Sequence, residues 1–228
     1  GLAVATNFAC AGFSSASGSS LATTMAIGRI TIPEMRKYGY DPGLAAGIVA
    51  CGGTLGVLIP PSIILVIYGI FAEVSIAKLF IAGIIPGLLT AAIYAAQIVI
   101  RCYLDPSLAP PVPDQPTWGE RFRALRTIWP LPLLILAVVG SIYSGLATPT
   151  EAGALGAFLA VVVAMAQRRM SLAVFRQAAR ESIIATASIF FVAIGAVLLT
   201  RFMAFSGVPT FLAGLITEYS VDLLTMIL

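Results

Sequence analysis

Long apolar runs separated by short polar clusters organise this chain. The first run, Gly1 to Gly28, has no charged residue, yet Ser14-Ser15-Ala16-Ser17-Gly18-Ser19-Ser20 interrupts it. So many hydroxyls around a glycine disfavour one straight span, and the pattern predicts two short helical arms meeting at a serine turn. Arg29, Glu34, Arg36 and Lys37 then mark a water-facing edge. Asp41-Pro42 reads as a helix start, with Asp as N-cap and Pro at the first helical position. The next charge is Glu73. A continuous helix over that stretch would be about 45 Å long, well beyond a hydrocarbon core of about 30 Å. Gly52-Gly53-Thr54-Leu55-Gly56 followed by Pro60-Pro61-Ser62 supplies a break, because Pro61 lacks an N–H and pushes Pro60 out of the α region. The expectation is two half-helices, near 43–52 and 62–72, joined by unwound backbone at membrane depth.

Further spans follow at Leu79–Ile100, with Pro86-Gly87 as a kink, at Thr127–Ala147 and at Ala152–Ala166. Residues 101–126 form a polar, proline-rich connection that reads as an extended loop. Ser171–Ser182 differs in kind. Leu172, Phe175, Ala178, Ala179 and Ile183 recur at helical spacing, while Arg176 and Arg180 lie one turn apart on another face, the pattern of an amphipathic helix in the interface. Ile183–Thr200 spans again, and Gly207-Val208-Pro209 turns the chain into a short segment, Thr210–Tyr219.

Composition turns these runs into membrane spans. Of 228 residues, 59% are apolar and 10% charged, with a mean hydropathy of +1.01. A soluble domain commonly needs about a quarter of its residues charged. The fold class read here is an all-α polytopic membrane protein. The net charge of +3 does not indicate nucleic acid, since the arginines sit at the ends of apolar runs, where the positive-inside bias places them. Residues 101–126 and 168–180 carry the basic excess and read as cytoplasmic, which puts 73–78 outside and Arg36-Lys37 inside. The interrupted run 1–28 then enters and leaves by the cytoplasmic side as a re-entrant hairpin. Gly1 is no natural start and Val221–Leu228 stops within an apolar run, so a fragment is expected.

The chemistry is bounded by what is missing. The chain has no histidine, and Cys10, Cys51 and Cys102 are too dispersed for a CxxC pair, which leaves zinc, haem attachment and His-based catalysis without their usual residues. The spans carry no charges, which weighs against an intramembrane protease or proton pump. What remains at depth is the serine turn and the Gly/Pro break. Irregular backbone is tolerated there where it is buried in protein or lines a cavity. Its carbonyls, with serine and threonine hydroxyls, suit a weakly held monovalent cation such as Na⁺, and half-helix N-termini suit an anionic group. The other reading, that small residues merely let helices pack closely, stays open. Thr148-Pro149-Thr150-Glu151 is read as a capping box.

Ser17-Gly18-Ser19-Ser20, Ile32-Pro33-Glu34-Met35 with Gly39-Tyr40, Gly52-Gly53-Thr54-Leu55-Gly56 and Ile59-Pro60-Pro61-Ser62 closely resemble the large membrane subunit of tripartite ATP-independent periplasmic (TRAP) transporters. The resemblance continues through Leu79-Phe80 and Pro86-Gly87 to Gly145-Leu146-Ala147-Thr148-Pro149-Thr150-Glu151-Ala152. It implies an elevator-type transporter of inverted repeats in the bacterial inner membrane, with no catalytic cofactor. Sodium would drive uptake of organic acids, of C4-dicarboxylate or sialic-acid type, delivered by a periplasmic binding protein, with a small membrane subunit completing the complex. The ion and substrate residues it implies are Ser17, Gly18, Ser19, Ser20, Gly53, Thr54, Pro60, Pro61 and Ser62. Residues 1–101 would be a first-repeat core, 102–126 a cytoplasmic loop, 127–167 a helical pair, 168–182 an arm and 183–228 the start of a second repeat. The rest of that repeat would follow Leu228. A symporter working without a binding protein and a non-transporting scaffold remain as rivals.

Overall fold

A computed structural model describes residues 1–110 and 128–218, together with Thr117, Gly119, Arg123 and Ala124. All regular structure among the described residues is helical. The chain divides into two compact units, residues 1–166 and 167–228.

The first unit opens with a helical hairpin, α1 (Leu2–Ser17) and α2 (Ser20–Lys37). The serine turn ends one helix and starts the other. Gly18 takes a left-handed conformation, φ 62°, and its N–H donates to the Ser14 carbonyl, the arrangement in which glycine closes a helix with no Cβ penalty. Ser19 is the N-cap of α2, its Oγ accepting the Ala22 N–H. The two arms read from the sequence are both present.

Helix α3 (Pro42–Leu58) starts as its sequence dictates, with Asp41 accepting the Leu44 N–H at 2.7 Å and Pro42 in the first turn. It does not stop at Gly52. The helix runs through Gly52-Gly53-Thr54-Leu55-Gly56, and the break is confined to Ile59–Ser62, with a cis peptide between Pro60 and Pro61, before α4 (Ile63–Phe71). The unwound stretch expected at 53–61 is therefore corrected to four residues. The glycines serve close packing instead: a Cβ on Gly52 would come within 2.8 Å of Cys10 Sγ, and one on Gly56 within 2.8 Å of the Ser19–Ser20 backbone.

Helix α5 (Ile76–Leu104) continues through Pro86 and past Arg101, so the connection begins later than the charge pattern indicated. A 3-10 turn at 106–108 follows, and the Leu108 carbonyl accepts the Asp41 N–H at 3.0 Å. Thr127 and most of 111–126 lie outside the described residues. Helices α6 (Pro130–Tyr143) and α7 (Pro149–Ala166) form a pair. The capping box is present: Glu151 accepts the Thr148 N–H at 2.7 Å, and Thr148 Oγ1 accepts the Glu151 N–H at 3.4 Å.

Two clusters hold the ends of this unit. Ala3, Met35, Tyr40, Leu44, Ala45, Ile48, Val49 and Ile98 join α1, α2, α3 and α5. Phe80, Ile142 and Ala152, with Leu65 and Val138 against them, join α4–α7. Between them, Leu55, Ile59 and Ala91 pack at the level of the break.

The second unit contains α8 (Leu172–Ser206) and α9 (Val208–Glu218), joined at Gly207, φ 74°. The sequence pattern divides 171–182 from 183–200; the structure draws no boundary there, and α8 is one helix of 35 residues. No proline or glycine lies near 182 to interrupt it. Tyr219 and the run 221–228 lie outside the described residues. Among the described residues, four helical stretches are long and apolar enough to cross a membrane: Pro42–Phe71, Ile76–Leu104, Pro149–Ala166 and Leu172–Ser206. The chain is an all-α polytopic membrane protein.

Candidate functional site

The hairpin tip is docked on the helix break. The Ile63 N–H, the first donor of α4, gives its hydrogen bond to the Gly18 carbonyl at 3.1 Å. A Cβ on Gly18 would lie 2.6 Å from the Pro61 carbonyl oxygen, so the backbones meet where glycine alone leaves room. The N-termini of α2 and α4 and the C-termini of α1 and α3 thus come to one place. Such ends carry unpaired N–H groups and carbonyls respectively, so the junction offers partial charge of both signs without an ionised side chain.

Hydroxyls fill the space inside the tip. Thr23 Oγ1 lies 3.3 Å from Ser14 Oγ and 3.1 Å from Ser17 Oγ, and donates to the Ser19 carbonyl at 2.9 Å. Ser14 and Thr23 are fully buried. Across the junction, buried Ser62 donates to the Val57 carbonyl at 2.7 Å and caps α4 by accepting the Leu65 N–H. Gly53 faces the hairpin, so closely that a side chain there would overlap Thr24.

Most of the residues singled out from the sequence are brought together here: Ser17, Gly18, Ser19, Ser20, Gly53, Pro60, Pro61 and Ser62. Thr54 is not. Its hydroxyl donates to the Cys51 carbonyl at 2.6 Å and lies 3.3 Å from Tyr94 Oη, toward α5. Neighbours on an α-helix point about 100° apart, so once α3 continues through this stretch Gly53 and Thr54 cannot both face the tip.

Thr23 and Thr24 join these residues although the sequence reading passed them over, as does Ser14, which it placed in the serine turn but not among the ion and substrate residues. The signal was available: 14, 17 and 23 fall on the facing sides of two helices joined at 18–19. Asn7 was also missed. It is buried, its Nδ2 donates to the Ala91 carbonyl at 2.9 Å, and its Oδ1 has no hydrogen-bond partner. It lines a separate cavity of about 110 Å³ with Gly47, Cys51, Tyr94, Gln97 and Arg101.

Chemically, the tip is an oxygen-rich junction of hydroxyls and carbonyls. Such a donor set matches a hard monovalent cation better than a transition metal, which seeks nitrogen or sulfur. Among the described residues no cluster of His, Cys, Asp or Glu is placed to hold a metal.

Comparison with known proteins supplies the family. The profile of the DctM component of the tripartite ATP-independent periplasmic transporters matches residues 1–228. The C4-dicarboxylate TRAP transporter large permease protein DctM of Pseudomonas aeruginosa is 39% identical over 219 residues, 96% of this chain and 51% of that protein. The ectoine/5-hydroxyectoine TRAP transporter large permease protein UehC of Ruegeria pomeroyi is 36% identical, over 95% of this chain and 50% of its own length. The sialic acid TRAP transporter permease protein SiaT of Haemophilus influenzae is 41% identical over 155 residues, 66% of this chain and 24% of its own length. The chain spans about half the length of the first two of these relatives. With its hairpin, its proline break and its apolar helices accounted for, the chain belongs to the DctM component family of the TRAP transporters, inner-membrane permeases rather than enzymes.

Proposed function

We propose that this chain forms the first transport core of a TRAP large permease, and that its full-length protein couples sodium entry to uptake of an organic acid. The observation that carries the reading is the docking of the Gly18 tip on the Pro60-Pro61 break. Two interrupted segments meeting at depth are the arrangement in which secondary transporters place ion and substrate. The hydroxyls of Ser14, Ser17 and Thr23 and the Ser19 carbonyl supply oxygens for Na⁺. The N-termini of α2 and α4 supply donors for an anion. Relatives are named for C4-dicarboxylate, ectoine and sialic acid; all three solutes carry a carboxylate, which fits those N-termini. The hairpin is re-entrant in this reading, and the core moves as an elevator against a fixed scaffold. A small membrane subunit and a periplasmic binding protein complete the transporter, as the family's tripartite name implies.

The test is sodium titration of uptake by the full-length permease with its partner subunits. Ser17→Ala and Thr23→Ala are expected to raise the half-saturating sodium concentration about ten-fold or more, since a hydrogen-bond-strength contact to a charged group is worth about 1.5–3 kcal/mol. Ser141→Ala, in α6 and bonded to the Val138 carbonyl, should leave it unchanged. Thr54→Ala should shift it far less than Ser17→Ala. Sodium dependence identical to the parent in both Ser17→Ala and Thr23→Ala would remove the ion from this junction.

A further inference from the structure

Helix α8 is longer than a bilayer requires. Its 35 residues make a rod of about 52 Å. Residues 182–200 carry no charge and occupy about 28 Å of it, close to a hydrocarbon thickness of about 30 Å. One edge of the hydrocarbon therefore falls near Ser182. Measured along the axis from there, Arg180 and Arg176 lie roughly 3 and 9 Å outside, which brackets a headgroup layer about 5–8 Å deep. Tilting the helix shortens both distances and keeps both side chains within that layer.

Their placement around the helix is equally specific. Leu172, Phe175, Ala179 and Ile183 form one stripe. At about 100° per residue, Arg176 sits roughly 40° and Arg180 roughly 80° round from Leu172, while Glu181 is roughly opposite. The arginines border this stripe, which continues beyond Ser182 through Phe190 and Ile194, while Glu181 lies on the far side of Arg180 from it, in a recess lined also by Arg176, Gln177 and Ile184. Glu181 is engaged by Gln177, whose Nε2 donates to it at 2.9 Å. Arg176 and Arg180 are exposed, and neither makes an ion pair among the described residues. Arg168 and Arg169 lie just before the helix, so four arginines face one acid over this stretch.

We propose that Arg176 and Arg180 form a clamp for the phosphate of an anionic phospholipid, with its acyl chains running into the hydrocarbon along the exposed side chains of Ile183, Phe190 and Ile194, which continue the same helix face. An occupant of this surface must present an anion directly beside hydrocarbon, and an anionic phospholipid does both. Guanidinium groups bind phosphate oxygens in pairs, and two of them one turn apart can share a single headgroup. The clamp fixes the depth of α8 and is independent of any ion at the hairpin tip.

The experiment is equilibrium binding of a short-chain fluorescent phosphatidylglycerol to the full-length permease in a nonionic detergent, read by anisotropy. The double variant Arg176→Gln/Arg180→Gln is expected to bind roughly 25-fold more weakly, five-fold per arginine, the equivalent of about 1 kcal/mol each. Arg176→Lys/Arg180→Lys should bind more tightly than the glutamine variant but more weakly than the parent, since lysine keeps the charge and loses the paired geometry. A diacylglycerol analogue, which has the acyl chains without the phosphate, should bind parent and variant alike. Unchanged phosphatidylglycerol affinity in the double glutamine variant overturns the clamp, and so does an equal loss for the diacylglycerol analogue, which would mark a folding defect. Displacement of the lipid by inorganic phosphate at equal concentration would show a free-anion site instead.

Discussion

Gly18 sits where a helix must end and a neighbouring carbonyl must approach. Its φ of 62° costs an L-residue about 1–2 kcal/mol, and an added Cβ would also press on the Pro61 carbonyl. Gly18→Ala is therefore expected to lower the thermal unfolding midpoint of the full-length protein and to abolish uptake. Gly47, in the wall of the cavity beside Asn7, has nothing within 4 Å of the position a Cβ would take. Gly47→Ala should hold or raise the midpoint, because alanine is favoured over glycine in a helix by up to about 1 kcal/mol. If the two variants melted alike, the tip contact would carry no structural weight. The same distinction separates the serines: those at 14 and 17 share hydrogen bonds across the hairpin, whereas Ser15 only returns its hydroxyl to the Ala11 carbonyl of its own helix.

Among the elements, α8 and the connection after α5 make the sharpest claims. Spin labels at Gln177 and Val192 lie about 22 Å apart along the axis of a continuous helix, and both positions are exposed. Pulsed electron-spin measurements on the full-length protein should return a single population near that separation. A markedly shorter distance would mean a bend near residue 182 and an arm distinct from the span. Orientation rests on the arginines flanking the spans. In a background lacking Cys10, Cys51 and Cys102, Glu73→Cys should react with an impermeant thiol reagent in whole cells and Ser107→Cys should not. Both sites are exposed turns beyond helix ends. The reverse pattern would invert the topology.

At the scale of the molecule, many large apolar side chains among the described residues are exposed, while a few hydroxyls are buried. Phe191 and Phe205 are 80% and 92% exposed, while Ser14 and Thr23 are fully buried. In water this distribution would be unstable; in a bilayer the exposed surface is solvated by acyl chains, and the buried hydroxyls are satisfied by one another. A cation bound among them should stabilise the full-length protein by linkage. At ten times its dissociation constant the gain is about 1.4 kcal/mol. Sodium chloride is expected to raise the unfolding midpoint above that in choline chloride at equal ionic strength. The increment should shrink in Ser17→Ala and Thr23→Ala. A parent protein indifferent to the choice of cation would count against the ion.

Membrane residence, helix starts and the hairpin turn were all determined by the sequence, because each depends on groups close together along the chain. Asp41-Pro42, Ser19 and the Thr148–Glu151 box cap helices through bonds spanning three residues, and hydropathy runs select spans whatever packs against them. Tertiary structure decided the rest. A Gly-Gly-Thr-Leu-Gly stretch serves equally as a hinge or as a flat face for a neighbouring backbone, and only the approach of α1 and α2 makes it the second. That choice keeps α3 helical to Leu58, turns Gly53 toward the hairpin and sends the Thr54 hydroxyl to Tyr94. Asn7 looks like any small polar residue in an apolar run until the fold buries it. The division expected at residue 182 followed a change in charge pattern. Backbone hydrogen bonding does not follow side-chain polarity, and with no residue to break it, α8 continued.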